Sequence, residues 1–118
     1  MVTEIGKELR KIRIDNDENI NDMAQKIGIS IAYLSAIESG KRNIPDNLVK
    51  KVVEAYNLDN KKEEVLRKAE IESSKRINID LAHTATERKQ LVFALARELN
   101  DIPDEVCKEF LEKLKGNV

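Results

Sequence analysis

Apolar residues recur at intervals of three and four along nearly the whole chain, which is the spacing of one face of an α-helix. The first such stripe consists of Ile5, Leu9 and Ile12. A fold with many strands would also need frequent turns, and the 118 residues include only 4 glycines and 2 prolines. The sequence therefore predicts an all-α fold.

Two short helices in the first half of the chain are joined by the turn Gly28-Ile29-Ser30. Asn19 is placed to cap the first of them, and Gly28 tolerates the positive φ with which many helices end. Ser30 is a strong N-cap for the second helix, which Gly40 is expected to end. This spacing is typical of a helix-turn-helix pair, whose two helices depend on flanking helices for a core.

The second helix of this pair has an unusual outward face. Its apolar period buries Leu34 and Ile37, so that small or uncharged side chains remain outside. Solvated helix faces normally carry lysine and glutamate, whereas a face of small residues can enter a DNA major groove about 12 Å wide. We interpret this face as a groove-reading surface, and the alternative is the solvated face of a generic bundle. The outward residues are Ile31, Ala32, Ser35, Ala36 and Ser39.

Capping signals place the later helices. Asn60 and Glu63 form a capping pair at the start of a fifth helix, and Thr84 and Glu87 form a T-x-x-E capping box at the start of a sixth. Pro103 falls in the first turn of a last helix. Residues 84–118 are therefore predicted to form a helical hairpin.

Two segments between these helices have weaker signals. Pro45 is predicted to open a fourth helix, since proline is favoured in the first turn. Ile77, Ile79 and Leu81 alternate with polar residues, which is the period of a short strand. Such a strand could pair across a two-fold axis.

The sixth helix is apolar over more than half of its circumference, so it must be covered on two sides. The last helix can cover one side only. We predict that a second copy of the chain covers the other, and the alternative is packing on the N-terminal core. The predicted dimer interface consists of Leu91, Phe93, Leu95, Phe110 and Leu114.

The chain contains a single cysteine, Cys107, and a single histidine, His83. Cys107 lies on the apolar stripe of the last helix and is expected to be a buried structural thiol. A metal site needs clustered donors, and no nucleophile–base pair or phosphate-binding loop is present, so neither an enzyme nor a cofactor or metal is expected. The longest apolar run, Leu91 to Ala96, is too short to span a membrane, and we expect a cytoplasmic protein.

Four segments of the chain resemble the DNA-binding domain of the Cro/phage-repressor type, also called the xenobiotic-response-element (XRE) family. They are LRKIR at 9–13, DMAQKIGIS at 22–30, YLSAIESGKR at 33–42 and IP at 44–45. The resemblance implies a five-helix, lambda-repressor-like domain that binds double-stranded DNA sequence-specifically, usually as a two-fold dimer. The predicted C-terminal hairpin follows this domain.

The resemblance also assigns roles to individual positions. It implies a structural ion pair between Arg13 and Glu38. Many family members carry glutamine where this chain has Ile20, and glutamine or arginine where it has Ile31 and Ala32. The base-facing positions correspond to Ile31, Ala32, Ser35 and Ala36. The expected contacts to the DNA backbone are Asn19, Ser30, Tyr33, Lys41, Arg42 and Asn43, although Tyr33 could instead pack against the preceding helix.

These observations predict a DNA-binding core over residues 1–58, a fifth helix and connection over 59–83, and the dimerising hairpin over 84–118. The net charge is only −1, so any attraction to DNA must come from local placement of basic residues. The leading hypothesis is a cytoplasmic transcriptional regulator, a repressor that binds a palindromic operator as a homodimer. The alternatives are an antitoxin or accessory subunit that holds a partner protein, and an interaction module that has lost DNA binding.

Overall fold

A computed structural model of the protein describes residues 1–116. This described part contains α-helices and one short 3-10 turn at Leu99–Asp101, and no strand, which confirms the all-α prediction. The segment containing Ile77, Ile79 and Leu81 is irregular. The helices are α1 (Glu4–Asp15), α2 (Ile20–Ile27), α3 (Ile31–Glu38), α4 (Leu48–Tyr56), α5 (Asn60–Ser73), α6 (Thr86–Glu98) and α7 (Asp104–Leu114).

The chain divides into two units, Met1–Asn78 and the part from Ile79 onward. Every buried side chain within residues 1–116 belongs to the first unit. The segment predicted as a fifth helix and connection, residues 59–83, includes α5, and this helix packs along α1 and buries Leu66 and Ala69. The apolar core consists of Ile5, Leu9, Met23, Ala24, Ile27, Leu34, Ile37, Leu48, Val49, Val52, Leu66 and Ala69.

The start of α1 is fastened to the end of α3. The backbone N–H and the hydroxyl of Thr3 both donate to the carbonyl oxygen of Glu38, each at 3.0 Å. Gly6 lies so close to this oxygen that a Cβ on it would be only 2.4 Å away. The N–H of Ile5 donates to Ser73 Oγ at 2.9 Å, so α5 is fastened to the same end of α1.

The cap of α5 and the start of α4 differ from the sequence prediction. The cap of α5 is Asp59, whose carboxylate accepts from the Lys62 N–H at 2.8 Å. Asp59 is as good an acceptor as Asn60 and lies one residue earlier. Pro45 does not open α4, which begins three residues later at Leu48.

The capping box predicted at Thr84 and Glu87 is wrong. The Thr84 N–H donates to the Leu81 carbonyl oxygen at 3.1 Å, which makes Thr84 the end of a turn. The helix therefore starts later, after Ala85, with no side-chain cap.

The two helices of the second unit bury none of their described residues. Cys107 is exposed rather than buried. None of the helices within residues 1–116 has the length and apolar character needed to cross a membrane. The exposed apolar residues of this unit are Ile79, Leu91, Phe93, Leu95, Leu99, Val106, Phe110, Leu111 and Leu114.

Candidate nucleic-acid interface

Local hydrogen bonds fix both helices of the α2–turn–α3 segment at their N-termini. Asn19 Oδ1 accepts from the Asp22 N–H and Asp22 Oδ2 accepts from the Asn19 N–H, both at 2.9 Å. Gly28 ends α2 with a φ of 75°, and Ser30 Oγ accepts from the Tyr33 N–H at 3.1 Å to start α3. These caps are the ones predicted from the sequence, and the turn is as short as predicted.

The packing of α3 leaves one apolar face in solvent. Leu34 and Ile37 are fully enclosed in the core, whereas Ile31 keeps 45% of its surface exposed. Ala32 and Ser35 are exposed and Ala36 is half-buried. Because residues four apart lie one above the other on a helix, Ile31 with Ser35 and Ala32 with Ala36 form one continuous surface. We call these four residues the α3 face.

The charged end of α3 is turned inward. Glu38 is 3% exposed and Arg13 is 8% exposed. Arg13 Nη1 lies 2.5 Å from Glu38 Oε2, and Arg13 Nη2 lies 2.9 Å from Glu38 Oε1. Arg10 Nε lies 3.6 Å from the same carboxylate, and Arg13 Nη1 also donates to Met23 Sδ at 3.3 Å. This network holds α3 to α1 and removes the one charged side chain of α3 from its exposed surface.

The loop after α3 folds back onto that helix. Gly40 has a φ of 79°, and the N–H groups of Lys41 and Arg42 both donate to the Ala36 carbonyl oxygen, at 2.9 and 3.2 Å. The Arg42 guanidinium lies 5.0 Å from the centre of the Tyr33 ring. Two exposed basic side chains are thus held beside the α3 face.

Tyr33 is half-buried against the core and carries Arg42 on its ring. The structure therefore links five of the predicted site residues, Ser30, Tyr33, Ala36, Lys41 and Arg42, through direct contacts. Asn19 and Asn43 are exposed, and in the described chain no hydrogen bond joins either to this group. The predicted dimer residues all lie in the second unit.

A second polar cluster was not found from the sequence. The Tyr56 hydroxyl donates to Glu18 Oε1 at 2.6 Å, and Lys26 pairs with Glu18 while its Nζ lies 4.6 Å from the Tyr56 ring centre. The hydrogen bonds from Lys26 and Tyr56 lower the pKa of Glu18. Burial, and then the neighbouring Glu18 carboxylate, raise the pKa of Tyr56. This cluster joins the α1–α2 turn to α4 and so helps to hold the α2–α3 pair in place.

Comparison with known proteins agrees with this geometry. Residues 9–59 match the family model described as helix-turn-helix. A stretch of 54 residues is 37% identical to the HTH-type transcriptional repressor RghR of Bacillus subtilis (strain 168). That alignment covers 45% of this chain and 40% of the relative, so the chain spans less than half of the protein it matches. No solved structure matches. Over residues 9–59 the chain is thus similar to helix-turn-helix proteins of the Cro/phage-repressor, or XRE, type.

Proposed function

We propose that the protein is a transcriptional regulator that binds double-stranded DNA sequence-specifically, and that it represses transcription as a dimer on a two-fold symmetric operator in the cytoplasm. The observation that carries the proposal is the exposed, uncharged α3 face beside a loop with two exposed basic residues. The match to the helix-turn-helix family and the repressor name of the Bacillus subtilis relative support it.

The α3 face enters the major groove and contacts base edges through Ile31, Ala32, Ser35 and Ala36. Contacts to the sugar-phosphate backbone fix the position of the helix but carry no sequence information. The side chains of Lys41, Arg42 and Asn43 supply such contacts at one end of α3. Ser30, Asn19 and the amide groups at the start of α2 supply them at helix N-termini, where the backbone favours anions.

Local charge provides the attraction, because the chain as a whole has a net charge of −1. Lys41 and Arg42 each neutralise a phosphate and release counterions, so binding weakens as salt rises. Burial of Glu38 supports this, because an exposed carboxylate at the end of α3 would repel the backbone.

The second unit brings two copies together. Its helices bury none of their described residues and expose a series of large apolar side chains, among them Leu91, Phe93, Leu95, Phe110 and Leu114. Apolar area of this extent is normally covered in a stable protein. A second copy is the occupant that fits the proposed operator, because a two-fold dimer places two reading helices about 34 Å apart along DNA.

Selection of bound sequences from random double-stranded DNA tests the proposal. We expect enrichment of an inverted repeat, followed by a mobility shift on an enriched fragment and on the region upstream of the gene. The matched control replaces Lys41 and Arg42 together with alanine, which should weaken binding to every sequence. Failure to enrich any sequence at low salt would rule out DNA recognition.

A second candidate function is the holding of another protein, as an antitoxin or accessory subunit does. The exposed apolar side chains of α6 and α7 favour it, since they suit a different partner as well as a second copy. The oligomeric state separates the two. A chain that is monomeric when pure, and that binds a helical partner encoded beside it, would support the second candidate.

A further inference from the structure

The α3 face has almost no means of reading a base by hydrogen bonding. Ile31, Ala32 and Ala36 have no polar side-chain atom, and the carboxylate of Glu38 is buried and engaged by Arg13. Tyr33 is half-buried and lies under Arg42. Ser35 is the one exposed hydroxyl of the face. Sequence discrimination by this helix must therefore rest largely on apolar contact.

In the major groove, the apolar feature of a base is the methyl group at C5 of thymine. We infer that the α3 face recognises pyrimidine C5-methyl groups as such, so that 5-methylcytosine is accepted in place of thymine at the positions it contacts. This inference rests on the proposed function. It makes binding sensitive to cytosine methylation of the DNA.

The placement of Ile31 favours this contact. Ile31 is the first residue of α3, directly after the Ser30 cap, and it is a large apolar side chain that keeps nearly half of its surface in water. The N-terminal residues of a recognition helix are the ones that reach base edges. Burial of Ile31 against a methyl group removes apolar area of both partners from water, which is favourable.

The Ser35 hydroxyl of the α3 face does not distinguish thymine from 5-methylcytosine. Thymine presents an acceptor at position 4 and cytosine presents an amino donor, but both carry the methyl when cytosine is methylated. A serine hydroxyl can donate or accept, so Ser35 can satisfy either base. The alanines and Ile31 do not hydrogen-bond to either base. The face therefore detects the methyl group and is nearly indifferent to the base that bears it.

The test uses the full chain and a binding site obtained by selection from random DNA. At each thymine of the site, the T·A pair is replaced in turn by U·A, by C·G and by 5-methylcytosine·G. We expect thymine and 5-methylcytosine to bind similarly at the contacted positions, and uracil and cytosine to bind more weakly. The expected loss is roughly fourfold per methyl, from the transfer free energy of one such group.

Two variants complete the test, one that removes a methyl contact and one that serves as its matched control. Ile31→Ala should abolish the preference for the methyl at one position of each half-site and leave it elsewhere. Ile31 is exposed, so the variant should retain the helical circular dichroism of the parent. Lys41→Ala should weaken binding to all four DNAs by the same factor and leave their ratios unchanged.

Two results would overturn the inference while leaving the proposed function intact. One is uracil binding as well as thymine at every position. The other is 5-methylcytosine binding as weakly as unmodified cytosine at each position where uracil is rejected. A chain that enriches no sequence at all would overturn both the inference and the proposed function.

Discussion

Arg13 and Glu38 form a two-point ion pair inside the first unit, with nitrogen–oxygen distances of 2.5 and 2.9 Å. Removal of one partner leaves a buried charge without compensation, which typically costs about 3–5 kcal/mol. We expect Arg13→Met to lower the free energy of unfolding by an amount in this range. The double variant Arg13→Met, Glu38→Leu should be more stable than the single one. Urea unfolding followed by circular dichroism measures both.

An exposed pair provides the control for that experiment. Lys7 Nζ lies 3.3 Å from Glu4 Oε1 on the surface of α1, and such pairs contribute about 0–1 kcal/mol. Lys7→Met should therefore change the unfolding free energy little. A loss in Arg13→Met no larger than in Lys7→Met would show that the buried pair has no special role.

Gly6 is required by the close approach of α1 to the end of α3. The Cβ of Gly6→Ala would lie 2.4 Å from the Glu38 carbonyl oxygen, a backbone atom that cannot move aside cheaply. Overpacking of this kind costs typically 1–3 kcal/mol, and occasionally more. We expect a clear decrease in the urea midpoint.

Gly28→Ala separates this clash from ordinary backbone strain. Gly28 has a φ of 75° and no atom within 4 Å of its virtual Cβ, so alanine there meets the cost of the left-handed conformation alone, about 1–2 kcal/mol. Gly6→Ala should be the more damaging change. Equal midpoints for the two variants would contradict the close approach described for Gly6.

Stability should depend on pH through Glu18 at the acid end. The hydrogen bonds from Lys26 and Tyr56 lower the pKa of Glu18 below its ordinary value of 4.5. The folded state then favours the carboxylate, so this contribution is present above pH 4.5 and is lost as the pH falls toward the folded pKa. Glu18→Gln should therefore lose less stability than the parent between pH 5 and the acid limit. Thermal unfolding across this range measures the difference.

Tyr56 should act at the alkaline end. Its pKa is raised above the ordinary value of 10.0 by burial and by Glu18, so the folded state favours the neutral phenol. The contribution is present below pH 10 and declines above it, as the phenol of the unfolded chain ionises. Tyr56→Phe should flatten the decline above pH 10. A parallel decline in parent and variant would exclude Tyr56 as its source.

Tyr33 and Arg42 should act as one unit in DNA binding. If the Tyr33 ring positions the Arg42 guanidinium, Tyr33→Leu should weaken binding in the parent and have a much smaller effect in an Arg42→Ala background. Arg42→Ala itself should lower the slope of log affinity against log salt by about one. Lys41→Ala is the control, since its effect should add to that of Tyr33→Leu.

The phenylalanine variant decides how Tyr33 acts. Tyr33→Phe keeps the ring and removes the hydroxyl. Unchanged affinity would support the ring as a platform for Arg42, whereas a loss as large as that of Tyr33→Leu would favour a direct contact of the hydroxyl with the DNA backbone.

Dimerisation should depend on the second unit. We expect the full chain to be dimeric in sedimentation equilibrium, and a chain ending at Asn78, which retains every buried residue described above, to be monomeric. Phe110→Asp in the full chain should also give a monomer, because it places a charge in the proposed interface. Lys108→Asp changes a charge on the same helix and should leave the dimer intact. Dimers of the shortened chain would place the interface in the first unit.

The sequence was sufficient to predict helix ends that depend only on contacts between neighbouring residues. Asn19, Gly28 and Ser30 act within four residues of themselves, so their roles in ending and starting helices follow from residue type and spacing. The signal at Thr84 had the same form and failed, because a turn from Leu81 uses the Thr84 N–H first. A capping motif in the sequence does not show whether a preceding turn already uses the same backbone N–H.

Contacts between distant residues could not be read from periodicity. Glu18 and Tyr56 are 38 residues apart, and nothing in the spacing of either indicates that the Tyr56 hydroxyl reaches Glu18. The exposure of Cys107 also differed from the prediction, because an apolar stripe is expected to be buried and does not specify by what. The Arg13–Glu38 pairing came from family resemblance, supported by the position of both residues beside core residues.

The hydrogen bond from the Ile5 N–H to Ser73 Oγ has a consequence for biosynthesis. The two residues are 68 positions apart, so the first helix cannot be fully docked until the fifth has left the ribosome. Domains are synthesised from the N-terminus at about 5–20 residues per second. The helix α3 is therefore made several seconds before α5, the helix that completes the packing around α1. During that interval the packing of α5 along α1, which buries Leu66 and Ala69, is still missing from the nascent chain.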